Sequence, residues 1–456
     1  MAGTKRFAGL GMGMVLALSV ILGGCGSNGS NEGSGDSPSA SKSASPSAVS
    51  TSSGKASPSA SQADDKPVTL KMLHFMEAEA GPSLKEINKR FHEKYPNITI
   101  EYENAPVDQY QSLIKTRFAS GDAPDLVGVF PGTWKEPFVK AGYLMDLSDR
   151  PWVARLQDGA KDMESMDGKV YALPLDQNAI GVIYNKKIFA DLGLSIPKNW
   201  DEFLALSEKI KAAKITPLAL GNKDLWVTQI IPYAMAPSAI YRDNPNFDQD
   251  MYAGKATFAD SPWKQMMADY IDLDKKGYFN KGNLGTSYDQ MVQLFATGKA
   301  AMMVMGNWGL PAILAVNPEA DLGMFPLPYA KAGEKVYVSS AIALGIGASA
   351  NTKHPEEVKK YIDFWAEAEN NEVLLKQAQA FPVFKDVNPE LSATLKELVP
   401  YLNVGTYNFL DQKWPQGVQD TMFTGIQSVL VDGGKTYSVD KMLGEMDKVF
   451  AAKKGQ

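Results

Sequence analysis

The sequence predicts an α/β protein folded as two lobes, and three observations carry that expectation. The chain has 456 residues, more than a single hydrophobic core of about 250–300 residues organises. Its composition, 44% hydrophobic and 21% charged, is that of a globular chain with enough apolar surface for a large core. From Pro67 onward, short stretches of alternating apolar residues take turns with helical patterns, the order of an α/β layer architecture.

The first 66 residues read as address and tether. Lys5 and Arg6 precede residues 7–22, which are uncharged and rich in Gly, Leu and Val. That run is shorter than the roughly 20 residues of a membrane span and has the length of a signal-peptide core. Leu22-Gly23-Gly24-Cys25 closes it and resembles a bacterial lipobox, so residues 1–24 are expected to be removed and Cys25 lipidated. The alternative for a lone Cys, a buried free thiol, fits this position poorly. Loss of Lys5 and Arg6 takes the formal charge from −6 to −8. Residues 25–66 then form the lipidated Cys and a linker of little besides Ser, Ala, Gly and Pro, with too little apolar surface to offset ordering entropy. The expected location is the outer face of the cell membrane of a Gram-positive bacterium, with the membrane as partner only through Cys25.

In the folded part, Val68, Leu70 and Met72 alternate as a strand. Gly81-Pro82 opens a helix that ends near Lys94, before Pro96. Ile98, Ile100 and Tyr102 form a second strand. Tyr110, Leu113, Ile114 and Phe118 recur at helical spacing up to Gly121. Residues 126–130 read as a buried parallel strand. Further on, residues 180–184 form a strand, and Asn199 with Glu202 signals a capping box for a helix to about Ala213. Residues 217–220 form a short strand. A helix from Ser261-Pro262 carries Trp263, Met266, Tyr270 and Leu273, and another ends at Gly298 before a strand over 301–305. Residues 336–346 read as one extended run. Pro355 starts a helix with Val358, Tyr361, Ile362 and Trp365 on one face. The last third is mostly helical.

Along this frame lie Tyr95-Pro96-Asn97-Ile98, Ala119-Ser120-Gly121-Asp122-Ala123-Pro124-Asp125 and Gly142-Tyr143-Leu144-Met145-Asp146-Leu147. Then come Asp167-Gly168-Lys169-Val170-Tyr171-Ala172-Leu173-Pro174, Ile183-Tyr184-Asn185-Lys186, Pro197-Lys198-Asn199-Trp200 and Gly298-Lys299-Ala300-Ala301-Met302, followed by Gly306-Asn307-Trp308. No piece is specific alone. In this order and spacing they resemble the family 1 extracellular solute-binding proteins of ABC importers, the maltose-binding-protein-like group, over residues 67–451. The resemblance implies a type II periplasmic-binding-protein fold: two α/β lobes that close about a hinge, with the chain crossing between them more than once. It places the first lobe at 67–178 and 323–386 and the second at 179–322 and 387–456, with residues 176–179 and 322–325 near the hinge. It also implies a sugar or oligosaccharide ligand, delivered unchanged to the transmembrane subunits of an ABC permease. No cofactor is expected, and a monomer is the default.

A sugar offers C–H faces to aromatic planes and hydroxyls to carboxylates and amides. Trp134, Trp226 and Trp308 each follow a strand, where open α/β sheets bind ligands, and Trp414 lies in a polar, non-periodic stretch. The alternative is that each caps its own lobe's core. By resemblance, Trp308 is the strongest stacking platform and Asn307 beside it a polar partner. Asp176 and Asn178 lie in the segment that in sugar-binding relatives meets hydroxyls; the alternative is a hinge turn satisfied by backbone. Glu77, or Glu79, follows the first strand and either reaches the cleft or lies in a solvated loop. Trp263 and Trp365 read as core, Trp200 as packing for a helix start, and Asp125 as structural.

Other classes find little support. A mildly acidic chain, 46 Lys and Arg against 52 Asp and Glu, lacks the basic face of a nucleic-acid binder. One Cys and three His exclude a disulfide framework and leave no metal-ligand spacing. Gly433-Gly434-Lys435-Thr436 lacks the earlier glycine of a phosphate loop, since position 429 is Val. Two rivals stay open: the same receptor class for a polyamine or peptide, and a surface glycoside hydrolase using two of the many carboxylates.

Overall fold

The computed structural model describes residues 66–75 and 77–455. The signal segment, Cys25 and the Ser/Ala/Gly/Pro stretch lie outside the described residues. So do the side chains of residues 76–80, among them Glu77 and Glu79, and that of Asp108. The described residues form one compact unit.

In chain order the strands are β1 (Val68–His74), β2 (Ile98–Asn104), β3 (Leu126–Val129), β4 (Ser165–Met166), β5 (Lys169–Val170), β6 (Ala172–Pro174), β7 (Gln177–Asn185), β8 (Thr216–Ala219), β9 (Ala300–Gly306), β10 (Leu322–Phe325), β11 (Val338–Ile342), β12 (Gly345–Ala348) and β13 (Thr406–Tyr407). They form two main sheets. The first runs β2-β1-β3-β12-β6 and the second β13-β11-β7-β9-β8, with β10 also paired to β7; β4 and β5 form a small hairpin. Helices cover both sheets, so strands buried on both faces, such as β3 and β9, are apolar throughout. This is the two-lobe α/β architecture expected from the chain's alternation.

Local signals explain most element ends. The helix Val107–Ser120 stops where Gly121 turns to φ 76° and its N–H caps the carbonyls of Arg117 and Phe118. The helix Trp200–Ala212 starts at Asn199, whose Oδ1 accepts from Glu202 N at 3.0 Å. Glu202 reaches back one residue beyond a standard capping box, to Lys198 N at 2.8 Å. A complete box occurs instead at Ser287 and Gln290. The helix expected to open at Gly81-Pro82 already begins at Glu77. Asp125 is structural: it accepts from Lys71 N at 2.9 Å and Thr352 Oγ1 at 2.5 Å.

The single extended run expected over 336–346 is two strands in different sheets. β11 pairs with β7 in the second sheet, while β12 pairs with β3 and β6 in the first. Sheet membership therefore puts the return crossing between Ile342 and Gly345, not at 322–325. The reason is register. Ile342 lies opposite Gln177 at the start of β7, whereas Phe325 lies opposite Val182, five residues further along, or about 17 Å at the usual strand rise. The outward crossing is β6 to β7. The chain leaves the first lobe for the last time between Val387, in its core, and Leu395, in the core of the second.

Candidate functional site

The crossings are held together by buried polar side chains. Asn178 Nδ2 donates to Asp176 Oδ1 at 3.0 Å, so the two do share one side of the extended segment. Asn307, fully buried, donates through Nδ2 to Asn178 Oδ1 at 2.6 Å and to the carbonyl of Gln379 at 2.7 Å. Its Oδ1 accepts from Ala179 N at 2.7 Å. Both Nδ2 hydrogens are therefore used, and Asn307 ties the start of β7 to the end of β9 and to the 379 turn. The expectation that Asn307 hydrogen-bonds a ligand is corrected here: its amide is committed to the hinge. Ser340 Oγ adds a bond to Asn178 O at 2.9 Å. Burial pushes the Asp176 carboxyl up to about 7, against the smaller opposing effect of the Asn178 hydrogen bond. His74, also buried, accepts from Phe75 N on Nδ1 at 2.8 Å, leaving Nε2–H for the carbonyl of Gly345 at 3.3 Å. It fastens the end of β1 to the return crossing.

Aromatic rings collect where strands end. In the first sheet, Phe75 follows β1 and Phe130 follows β3; their rings stack with centroids 4.2 Å apart and planes 6° from parallel. Both are half-buried. In the second sheet, Trp308 follows β9 and is half-buried. Its indole folds back over Gly306: a Cβ there would fall 1.9 Å from Cζ3 of the ring, so only glycine admits this pose. Phe409 meets Trp308 edge to face at 5.8 Å. Trp226, after β8, packs on Tyr288 at 5.0 Å, and the Tyr288 hydroxyl lies 3.7 Å from where a Cβ on Gly309 would sit. Two aromatic pairs thus stand along the second lobe, Trp226 with Tyr288 and Trp308 against the buried Phe409.

Two of the expected ligand tryptophans belong elsewhere. Trp414 is 1% exposed; it packs with Phe258, Trp263 and Tyr233 in the second-lobe core. Trp134 is 8% exposed and stacks on Phe138 and Tyr110 beneath Phe130. Both are core residues, because their loops turn the rings inward. Phe75, Phe130 and Tyr288 are half-buried and lie outside the tryptophan set; Phe409, 8% exposed, belongs to the second-lobe core. The strand-end criterion applied to Trp134 would have found Phe75 and Phe130.

The lobes meet on one side of the cleft. Thr133 Oγ1 donates to the carbonyls of Asp411 at 3.2 Å and Trp414 at 2.7 Å. Gly132, at φ +73°, lies so close that a Cβ would fall 2.1 Å from the carbonyl oxygen of Gln412. Gln412 is fixed in turn by its Nε2 bond to Ile342 O, 2.6 Å, at the return crossing. A cavity of about 350 Å³ straddles this seam, bounded by Glu136, Asp162 and Met166 on one side and Asp248 and Tyr252 on the other. Among the described residues no group of three or more His, Cys, Asp or Glu is placed to hold a metal.

Two sheets joined by paired crossings, with aromatic surface on the strand ends of both, define a hinge-closing two-lobe binding protein. The chain belongs to the bacterial extracellular solute-binding protein family, whose model matches residues 77–372. It is similar to the multiple sugar-binding protein of Streptococcus mutans, 29% identical over 82% of this chain and 88% of that one. It is also similar to the melibiose/raffinose/stachyose-binding protein of Bacillus subtilis, 22% identical over 85% and 91%. Among solved structures, a chitin oligosaccharide binding protein superposes with a TM-score of 0.77, 24% identical over 86% of this chain and 100% of that one. The raffinose complex of RafE gives 0.74, at 24% over 85% and 100%.

Proposed function

We propose that this protein is a lipid-anchored receptor that captures an oligosaccharide between its lobes and presents it to an ABC import permease. The observation that carries the reading is half-buried aromatic surface on both lobes: Phe75 and Phe130 on one, Trp226, Tyr288 and Trp308 on the other. Stacked sugar rings match such planes. Several separate aromatic faces favour a chain of several sugars over a single one, as do the saccharides named for the relatives. Asp176 and Asn178 stand where the lobes meet and offer polar edges, with Asp176 keeping unused acceptor capacity. A ligand touching both lobes favours the closed state by its differential affinity for it. Cys25 supplies the anchor and residues 25–66 the reach, with the folded part facing outward as a monomer. Among the described residues no helix is long and apolar enough to cross a membrane.

The test is a thermal-shift panel on residues 63–456 with raffinose, stachyose, chitin and malto-oligosaccharides, monosaccharides, spermidine and peptides. A ligand at 100 times its Kd adds about 2.7 kcal/mol, a rise of roughly 3 °C for a chain of this size. A response confined to one saccharide series supports the proposal. A response to spermidine or peptides alone keeps the receptor and discards the sugar. Turnover of a chromogenic glycoside, lost on changing one carboxylate, would replace it with a hydrolase. The anchor is tested by mass spectrometry of the mature N-terminus, which should carry a diacylglyceryl group on Cys25.

A further inference from the structure

At the far end of the second sheet from Trp308, a groove of about 1110 Å³ opens. Its floor is the amino-terminal end of β8, at Thr216 and Pro217, and the approach to β9 at Lys299. The seven residues of β9 separate it from Trp308 by about 20 Å, so it is no part of the cleft. Among the described residues four lysines line it, Lys211, Lys214, Lys281 and Lys299, and no Asp or Glu does, in a chain whose formal charge is −6. All four are exposed. Lys211 donates to the carbonyl of Lys276 at 2.7 Å. Among the described residues Lys214, Lys281 and Lys299 make no ion pair.

The simplest local explanation is that the lysines balance helix dipoles. Helices Trp200–Ala212, Trp263–Lys275 and Tyr288–Ala296 all end here. Three carboxyl termini bring about −1.5 charges, which leaves the groove near +2.5. Helix termini thus account for less than half of the cationic charge, and a concave cationic surface concentrates anions.

We propose that this groove binds a linear polyanion bearing phosphodiester or polyphosphate groups. A polymer strand enters a concavity, whereas a flat bilayer does not. Among the described residues none of the large exposed apolar side chains, Val107, Tyr252, Val404 and Val431, lines the groove to anchor it in lipid. The site is independent of the saccharide cleft and leaves that cleft free.

The probe is long-chain polyphosphate, titrated into the full chain at 50 and 200 mM NaCl. Three to four lysine contacts give a log–log salt slope of about −2 to −3, a loss of about 16- to 64-fold over that range. The variant Lys214→Glu/Lys281→Glu/Lys299→Glu should bind at least tenfold more weakly at 50 mM, with its melting temperature and the panel response unchanged. Should the triple variant melt early, Lys281→Glu and Lys299→Glu singly are each expected to cost several-fold. Absence of binding at 50 mM, or equal binding by the variants, overturns the proposal. So does lysine-dependent sedimentation with phosphatidylglycerol vesicles in the absence of polyphosphate binding, which would make the surface a membrane contact.

Discussion

Gly132→Ala separates closing from folding. An alanine Cβ would lie 2.1 Å from the carbonyl oxygen of Gln412, 2.8 Å from its carbon and 2.9 Å from its Cα. Ordinary carbon–oxygen contacts start near about 3.3 Å, so the two backbones must part by more than an ångström. Gln412 cannot yield cheaply. Its N–H donates to Phe409 O at 3.1 Å, its side chain holds Ile342 O, and its neighbour Asp411 accepts from Tyr233 Oη at 2.8 Å. Two costs follow, and they fall on different observables. The left-handed backbone costs an alanine about 1–2 kcal/mol whether the lobes are apart or together, and lowers the melting temperature. The overlap costs about 1–3 kcal/mol only when the lobes touch, and lowers affinity by about 5- to 150-fold. Calorimetric titration with the saccharide selected by the panel, beside a melting curve of the free protein, reads both. A lowered melting temperature with an unchanged Kd would show that the Gly132–Gln412 seam is the same in the free and ligand-bound states, and would refute this account of closure.

Trp308→Ala should weaken saccharide binding by about 30-fold or more, the loss typical of an aromatic hot spot, with a smaller effect on melting. Trp414→Ala should do the reverse, costing about 3–5 kcal/mol of stability in a denaturant melt while the remaining folded protein binds normally. Asn307→Ala strands Ala179 N, Asn178 Oδ1 and Gln379 O in a buried hinge, and a urea titration should show a loss of at least about 3 kcal/mol. Asn307→Asp keeps the acceptor for Ala179 but sets a carboxylate oxygen against Asn178 Oδ1 and Gln379 O in a buried site, and should lose at least as much. The folded-state pKa of Asp176 is raised from 3.8 to about 7, so the folded form holds its proton more tightly than the unfolded chain. That contribution is fully present below about pH 4 and is lost as pH rises through 7, by at most about 4 kcal/mol. Asp176→Asn should flatten this part of the stability profile and raise the melting temperature near pH 8. An unchanged profile would show that Asp176 titrates normally.

What the sequence determined by itself is local or periodic. The alternation of Val68, Leu70 and Met72, the glycine stop at Gly121 and the cap at Asn199 each act within a few residues, so the elements and their class are legible without tertiary knowledge. The cores holding Trp263 and Trp365 were legible too, since a helical stripe shows which face is buried. Loop tryptophans have no such period: Trp134 and Trp308 both follow a strand, yet one turns into its lobe and the other lies open over Gly306. Only packing decides between them. The same holds for Asn307, whose amide is consumed by partners 72 and 129 residues away in sequence. It holds for the return crossing as well, hidden inside one extended run because a strand's alternation does not say which sheet it joins. The cleft is built from contacts between distant segments, and those belong to the tertiary structure because their energies depend on register and approach that no local pattern encodes.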